Sequence, residues 1–192
     1  IHVARTEPNV LVFSFSRTES RENEFHWINH LSVKAWSVYA LSSNPIQIQN
    51  LQRLHKVNAI GVVRGDIREE WLLQQGFNNL HPSVNHQQNI MRLRSGRLDL
   101  IAYESQGIQH LLLEEGLDLQ DIRPVYQLKR SDVYLLMSKK GTDMNLVERW
   151  RQAAEKLKSS GEQQVIAEKW QMILRLYHDV ETQTQNGVMI FP

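Results

Sequence analysis

The chain has 192 residues, with 22 Lys and Arg against 21 Asp and Glu, so its formal net charge is +1. This balance argues against bulk electrostatic capture of nucleic acid, which needs a clustered basic face. The absence of cysteine excludes disulfides, thiolate metal sites and cysteine nucleophiles. No window approaches the roughly 18 uninterrupted apolar residues of a membrane span. The 41% of hydrophobic residues suffice for a globular core.

Short apolar runs alternate with stretches of helical character along the first two thirds of the chain. The apolar runs lie at residues 10–15, 60–63, 98–102 and 133–137. Nearly continuous runs of this length are typical of strands covered on both faces, which favours a mostly parallel sheet. Helices are predicted over 67–75, 85–94 and 105–115, the first of them capped by Asp66 with Glu69 three positions on. The alternation predicts an α/β fold.

The last third of the chain is predicted to be helical and then to lose its pattern. Leu146, Trp150, Ala153 and Leu157 form one apolar stripe, which predicts a helix over 145–159. A second helix is predicted over 163–172. Because the segment beyond it is polar with a short apolar end, we expect residues 176–192 to be a loosely held tail.

Two extended runs, at residues 35–43 and 131–140, bracket the α/β block. A block that is entered once and left once indicates a chain that starts in one lobe, visits a second and returns. We therefore expect residues 1–36 and 139–175 to form lobe 1. Residues 37–138, hinge strands included, would form lobe 2.

Five weak motifs occur in an order that resembles a known family. The strand NVLVFSFSRTESRENEFHWI contains a Thr-x-x-Arg turn at Thr18 and Arg21 with an aromatic residue at Phe25. The segments IGVVRGD, GRLDLIAYES, SDVYLLMSKK and EQQVIAEKW follow. Together they resemble family 3 of the bacterial extracellular solute-binding proteins, over residues 10–171.

The resemblance implies a type II periplasmic-binding-protein-like α/β fold, with two lobes of mostly parallel sheets joined by two hinge strands. The family's opening strand–helix–strand unit has no counterpart in this sequence, so the first lobe is expected to be incomplete. Such a lobe would have an exposed sheet edge and apolar helix faces. If that unit is truly absent, the chain is expected to form a homodimer or to swap segments.

The resemblance also implies ligand-binding residues in the first lobe. In this family an α-amino acid lies between the lobes, and Arg21 matches the arginine that grips its carboxylate through a planar pair of donors. Ser14 and Ser16 match positions that lend backbone or hydroxyl hydrogen bonds, and Thr18 belongs to the same turn. The alternative for Arg21 is a surface residue on a turn rich in glutamates.

In the second lobe, Glu104 matches the carboxylate that accepts the ligand ammonium, although aspartate is commoner there. Its alternative role is to favour the start of the next helix. Arg64 occupies the basic position after the IGVV strand, where it would face a carboxylate or pair with Asp66 or Glu69 in solvent. Arg68 stands where the family often has a small residue, and it would narrow the cleft or contact the ligand side chain.

The function implied is an extracytoplasmic, periplasmic solute-binding protein that captures a small polar solute, an amino acid above all, for the membrane permease of an ABC transporter. It needs no cofactor and no catalytic group. The alternatives are a ligand-sensing domain of a receptor and a dehydratase-like enzyme that uses Glu104 for proton transfer. His26 and His30 are four residues apart but lack a third ligand, so no metal site is predicted.

Overall fold

The computed structural model describes residues 1–178 and 180–191, and of Leu119 it describes the backbone alone. The helices are α1 (His2–Thr6), α2 (Leu51–Leu54), α3 (Ile67–Gln74), α4 (His86–Arg94), α5 (Ile108–Glu114), α6 (Met144–Ser159) and α7 (Glu162–His178). The strands are β1 (Leu11–Ser16), β2 (Phe25–Leu41), β3 (Ile60–Val63), β4 (Leu80–Ser83), β5 (Leu100–Glu104), β6 (Ile122–Ser138), β7 (Gln183–Gln185) and β8 (Val188–Ile190). The helices predicted from periodicity are therefore present.

The chain divides into two compact units. Unit 1 comprises residues 1–34 and 131–192, and unit 2 comprises residues 35–130. The chain passes between the units within β2 and within β6, each of which is 17 residues long. The sequence predicted boundaries after residues 36 and 138. The structure places them after residues 34 and 130, so the first differs by two positions and the second by eight. Because β6 continues through the boundary without a turn, no glycine or proline marks it in the sequence.

Unit 2 is built on a sheet in which β3 lies between two parallel neighbours. It pairs with β4 through Ile60 and Leu80 and with β5 through Ile60 and Leu100. Strand β5 pairs in the antiparallel sense with β2, where Glu104 lies opposite Trp36. Because the carboxyl ends of β3, β4 and β5 meet at one edge, the residues that follow these strands are brought together.

Helices cover both faces of the unit 2 sheet, which explains its continuous apolar strands. Alternate residues of β2 and β5 face opposite sides. One core joins strand residues to α2 and α3 and includes Val38, Leu100, Ala102, Leu54 and Leu72. The other joins them to α4 and α5 and includes Tyr39, Ile101, Ile90, Leu93 and Leu112. The prediction of strands covered on both faces is confirmed for residues 60–63 and 98–102. It is wrong for residues 10–15, where Phe13 and Ser14 are exposed.

Unit 1 has a mixed arrangement of strands. Strand β1 is antiparallel to β6, β8 is parallel to β2, and β7 and β8 form an antiparallel hairpin. One core cluster packs Ala4 of α1 against the strands, with Phe25, Trp27 and Leu136. A second cluster packs Val147 of α6 against them, with Ile28, Leu135 and Met137.

The expectation of a loosely held tail is wrong for its described residues; residues 179 and 192 of that tail lie outside the description. Helix α7 continues to His178, and the hairpin of β7 and β8 then pairs with β2. Phe191 is buried, and its N–H donates a hydrogen bond of 2.9 Å to the Val33 carbonyl. Long-range pairing holds this segment, and the local pattern of polar residues does not reveal such pairing.

Helix α7 carries apolar side chains that the core of unit 1 does not use. The exposed ones include Val165, Trp170, Met172, Leu176 and Tyr177. Their presence gives α7 an apolar surface toward solvent in the described part of the chain. No described helix is both long enough and apolar enough to cross a membrane.

Gln163 is expected to anchor the C-terminal hairpin. Its buried amide accepts from Asn29 Nδ2 at 3.1 Å and donates to the carbonyls of His30 at 3.1 Å and Gly187 at 3.0 Å. Gln163→Ala should lower the free energy of unfolding by about 1–3 kcal/mol, because it leaves buried partners without hydrogen bonds. Urea denaturation measures the loss. Gln152→Ala, at an exposed position of α6, is the control and should change stability by less than about 0.5 kcal/mol. Equal effects of the two substitutions would contradict the anchoring role.

Candidate functional site

In unit 1, two of the predicted ligand-binding residues, Ser14 and Ser16, lie near the end of β1. The register between β1 and β6 shifts between Val12 and Phe15, as in a β-bulge. Ser14 lies in this irregularity, is exposed, and has a φ of 54° in the left-handed region. Ser16 lies beyond it, half-buried and opposite Val133. The two serines therefore differ in exposure and backbone conformation.

The turn after β1 places Arg21 in a buried position. Thr18 is extended, and the Arg21 N–H donates to its carbonyl at 3.0 Å. The Thr18 hydroxyl lies 3.1 Å from the hydroxyl of Ser20. Arg21 is only 8% exposed, and its guanidinium carbon lies 4.9 Å from the centre of the Phe15 ring. The alternative of a solvated surface arginine is therefore wrong: an aromatic face supports this cation.

Arg17 lies two residues before the short 3-10 helix Glu19–Arg21 and is held by a different set of groups. Its Nε and Nη2 donate to the two carboxylate oxygens of Glu22 at 2.8 Å and 2.5 Å. The hydrogen bond from Arg17 holds the pKa of Glu22 below its usual range. The guanidinium also lies 5.4 Å from the Trp27 ring centre and 4.9 Å from that of Tyr134. Arg17 is thus engaged by the protein itself.

In unit 2, Arg64 follows β3 directly. Its backbone N–H donates to the Ser83 carbonyl at 3.0 Å, and its side chain is exposed. The side chain has no hydrogen bond or ion pair within the described residues. The predicted alternative, pairing with Asp66 or Glu69, does not occur. Asp66 pairs with Arg68 instead, and Glu69 accepts a hydrogen bond from the Gly65 N–H at 2.5 Å.

Asp66 and Arg68 form a closely bonded pair at the start of α3. The Asp66 carboxylate caps the helix by accepting from the Arg68 N–H at 2.8 Å. The same carboxylate accepts from Arg68 Nε at 2.7 Å and from Nη2 at 2.6 Å. Two parallel bonds from one guanidinium are the strongest geometry for this pairing. The Arg68 side chain is only 9% exposed, so little of its charge faces solvent.

Arg68 also connects Asp66 to the end of β5 and to α4. Its Nη1 lies 3.9 Å from Glu104 Oε2, and its Nη2 lies 3.3 Å from His86 Nε2. Its guanidinium carbon lies 5.3 Å from the centre of the Tyr103 ring, against which His86 packs edge-on. Asp66, Arg68, His86, Tyr103 and Glu104 thus form one cluster, which we call the unit 2 cluster.

The environment of the unit 2 cluster shifts two of its titrating groups. Burial, with the charge of Arg68 as a smaller cause, lowers the pKa of His86 to about 4. Burial, with the nearby Glu104, raises the pKa of Tyr103. Both rings are therefore uncharged at pH 7. The charges of the cluster at that pH are those of Asp66, Arg68 and Glu104.

The structure thus brings Arg68 and Glu104 together and keeps Arg64 apart in solvent. Sequence reasoning gave Asp66 as a helix cap and as a possible partner of Arg64, and it missed the ion pair of Asp66 with Arg68. His86 is the first residue of α4 and lies within the helix predicted over 85–94, but its contact with Arg68 was not predicted. The sequence does contain a signal for the pair of Asp66 and Arg68, namely an acidic residue two positions before an arginine at the start of a helix. The role of His86 has no local signal, because it depends on contacts with β5 and α3.

The described residues contain no group of three or more His, Cys, Asp or Glu that could hold a metal ion. His26 and His30 lie on strand β2 and not on a helix, so the spacing of four does not put them on one helix face. His30 Nε2 lies 3.1 Å from Asp132 Oδ1, and its ring stacks on Tyr134 with centroids 4.7 Å apart. His30 therefore has a role within the packing of unit 1.

Comparison with solved structures identifies the fold. The chain is similar to a histidine kinase sensor domain with similarity to periplasmic binding proteins, at 17% identity and a TM-score of 0.69, covering 83% of this chain and 68% of that one. It is also similar to holo ArgBP from T. maritima, at 15% identity and a TM-score of 0.66, with coverages of 88% and 72%.

A third similar structure is a substrate-binding protein of an ABC uptake transporter from Streptococcus pneumoniae with bound histidine. The identity is 18% and the TM-score 0.64, with coverages of 83% of this chain and 67% of that one. No family model matches the sequence, and no curated protein matches it significantly. The chain therefore has the periplasmic-binding-protein-like α/β fold predicted from its motifs, and it spans about two thirds of the length of these structures.

His86 should make the stability of the protein depend on pH. Its folded pKa of about 4 lies below the usual value of 6.5, so the unfolded chain binds more protons between these pH values. This contribution to the free energy of unfolding is present above pH 6.5 and is lost as the pH falls toward 4. Urea titrations at several pH values measure this effect, and His86→Gln should make the free energy of unfolding vary less between pH 4 and pH 6.5. His81→Gln, at an exposed position, is the control and should leave that variation unchanged. Identical profiles for wild type and His86→Gln would contradict the interpretation.

Proposed function

We propose that this chain belongs to an extracytoplasmic solute-binding protein that captures an amino acid for an ABC uptake transporter. The fold supports a binding role, since the similar structures include ArgBP and a substrate-binding protein with bound histidine. The observation that carries the proposal is the buried Arg21, which is held against the Phe15 ring on a short turn. A buried guanidinium with a fixed orientation is suited to a carboxylate.

An amino acid is a zwitterion and requires one protein group of each sign. Arg21 is the proposed partner of its carboxylate, with Ser14, Ser16 and Thr18 near the same strand end as further hydrogen-bonding groups. Glu104 is the proposed partner of its ammonium. Its side chain is 26% exposed, and the two oxygens of a carboxylate can accept several hydrogen bonds at once.

The exposed Arg64 and the buried Arg68 are assigned different roles. Arg64 is the proposed contact for a polar part of the ligand, because its guanidinium is exposed and unpaired within the described residues. Arg68 is proposed to shape the ligand site, because its donors are directed to Asp66. The proposed role requires no catalytic group, since binding and release are the whole activity.

This role places the protein in the periplasm, where the membrane permease of the transporter is its partner. A second candidate function is a ligand-sensing domain. The similarity to a histidine kinase sensor domain favours it specifically, with a TM-score of 0.69. Sensing and transport both begin with binding of the ligand, so both functions require Arg21 and Glu104 to contact it in the same way.

Isothermal titration with the twenty amino acids tests the proposed function, and Arg21→Lys tests its main residue. We expect at least one amino acid to bind. Arg21→Lys should weaken that binding by about tenfold to a hundredfold, because lysine keeps the charge but loses the paired donors.

Arg17→Lys is the matched control, since Arg17 lies on the same chain segment but is bonded to Glu22. It should bind the amino acid as wild type does. No binding of any amino acid would reject the proposed function. Equal losses in the two variants would reject the role of Arg21.

A further inference from the structure

The start of helix α3 already holds carboxylates that belong to the protein. A helix N-terminus offers free N–H groups and a positive dipole end, which attract anions. Here Asp66 accepts from the Arg68 N–H, and Glu69 accepts from the Gly65 N–H. A ligand carboxylate that approached this helix end would meet two negative side chains in place of free donors.

The Asp66 carboxylate also accepts hydrogen bonds from the guanidinium of Arg68. The bonds from Arg68 Nε and Nη2, at 2.7 Å and 2.6 Å, use the paired face that a guanidinium presents to a carboxylate. His86 Nε2 lies 3.3 Å from the same Nη2 and packs against Tyr103. The Asp66 carboxylate therefore takes the position at the Arg68 guanidinium that the carboxylate of an acidic ligand would take.

The charges of the unit 2 cluster lead to the same conclusion. Asp66 and Glu104 are negative and Arg68 alone is positive, while His86 and Tyr103 are neutral at pH 7. The cluster as a whole is negative, and Glu104 is the acid in it that is farther from the cation, at 3.9 Å against 2.6 Å for Asp66. An amine is attracted to this arrangement and a carboxylate is repelled.

We propose that Asp66 is a specificity-determining residue: as a built-in anion on Arg68, it makes unit 2 accept the amine or the neutral part of a ligand and reject an acidic side chain. This inference rests on the proposed function, because it concerns the selectivity of the same site. It assigns Asp66 a role beyond capping α3. Replacing its charge should expose Arg68 and the helix end to an external anion.

The test compares Asp66→Ser with wild type by isothermal titration against L-glutamate, L-glutamine and L-arginine. Serine retains the ability to cap a helix, so α3 is expected to remain folded. Wild type should bind glutamate at least tenfold more weakly than its preferred neutral or basic amino acid. Asp66→Ser should improve glutamate binding at least tenfold and weaken arginine binding. Asp66→Asn, which keeps the shape of the side chain, should shift selectivity in the same direction.

Asp143→Ser is the matched control. Asp143 caps α6 in the same way, by accepting from the Asn145 N–H at 2.9 Å, but no arginine among the described residues pairs with it. This variant should keep the wild-type selectivity. The double variant Asp66→Ser with Arg68→Gln should lose the gain in glutamate binding. If the gain persists without Arg68, or if wild type already prefers glutamate, the proposal is wrong while the proposed function stands.

A second readout does not depend on amino acid binding. Thermal melts in sodium sulfate, against sodium chloride at equal ionic strength, report whether an inorganic anion binds at Arg68. Sulfate stabilises proteins generally, so wild type and Asp143→Ser define the background. Asp66→Ser should gain several degrees beyond that background. If no variant binds any amino acid, the proposed function fails, and this melt still decides the role of Asp66: a sulfate response equal to the background overturns it.

Discussion

The paired bond between Arg68 and Asp66 is the interaction on which the chemistry of unit 2 depends. A guanidinium that is only 9% exposed loses much of its hydration, and the loss is tolerable only when its donors are satisfied. Asp66 satisfies two of them and caps α3 with the same carboxylate. The pair therefore fixes the start of a helix and the position of a buried cation at once. Glu104 and the two neutral rings of His86 and Tyr103 are arranged around that cation.

The fold explains why these residues meet although they are far apart in the sequence. Asp66 and Arg68 follow β3, His86 follows β4, and Tyr103 and Glu104 end β5, and these three strands are parallel neighbours. In unit 1, a strand end again carries the candidate residue, since Arg21 lies on the turn after β1. An aromatic ring supports the cation in each case, Phe15 for Arg21 and Tyr103 for Arg68. A bidentate pair with Asp66 holds Arg68 in addition.

Much of the fold could be predicted from the sequence because its signals are local. The continuous apolar strands, the Asp66 cap and the apolar stripe of α6 predicted elements that the structure contains. The C-terminal hairpin could not be predicted in this way, because its strands are three residues long and pair with β2 at a distance in sequence. Arg21, Arg64, Arg68 and Glu104 were singled out by resemblance, and periodicity alone would not have found them. The state of each arginine (buried on an aromatic ring, exposed, or bonded to an aspartate) depends on neighbours that only the folded chain provides.

We propose that Glu104 receives the ligand's ammonium and Arg21 its carboxylate, while Arg68 stays bonded to Asp66. A crystal structure of the protein with a bound amino acid tests this most directly. We expect the ligand nitrogen within about 3.2 Å of a Glu104 oxygen, the ligand carboxylate paired with the Arg21 guanidinium, and the bond between Asp66 and Arg68 intact. A ligand carboxylate seated on Arg68 in place of Asp66, or a ligand that touches neither Glu104 nor Arg21, would contradict the account.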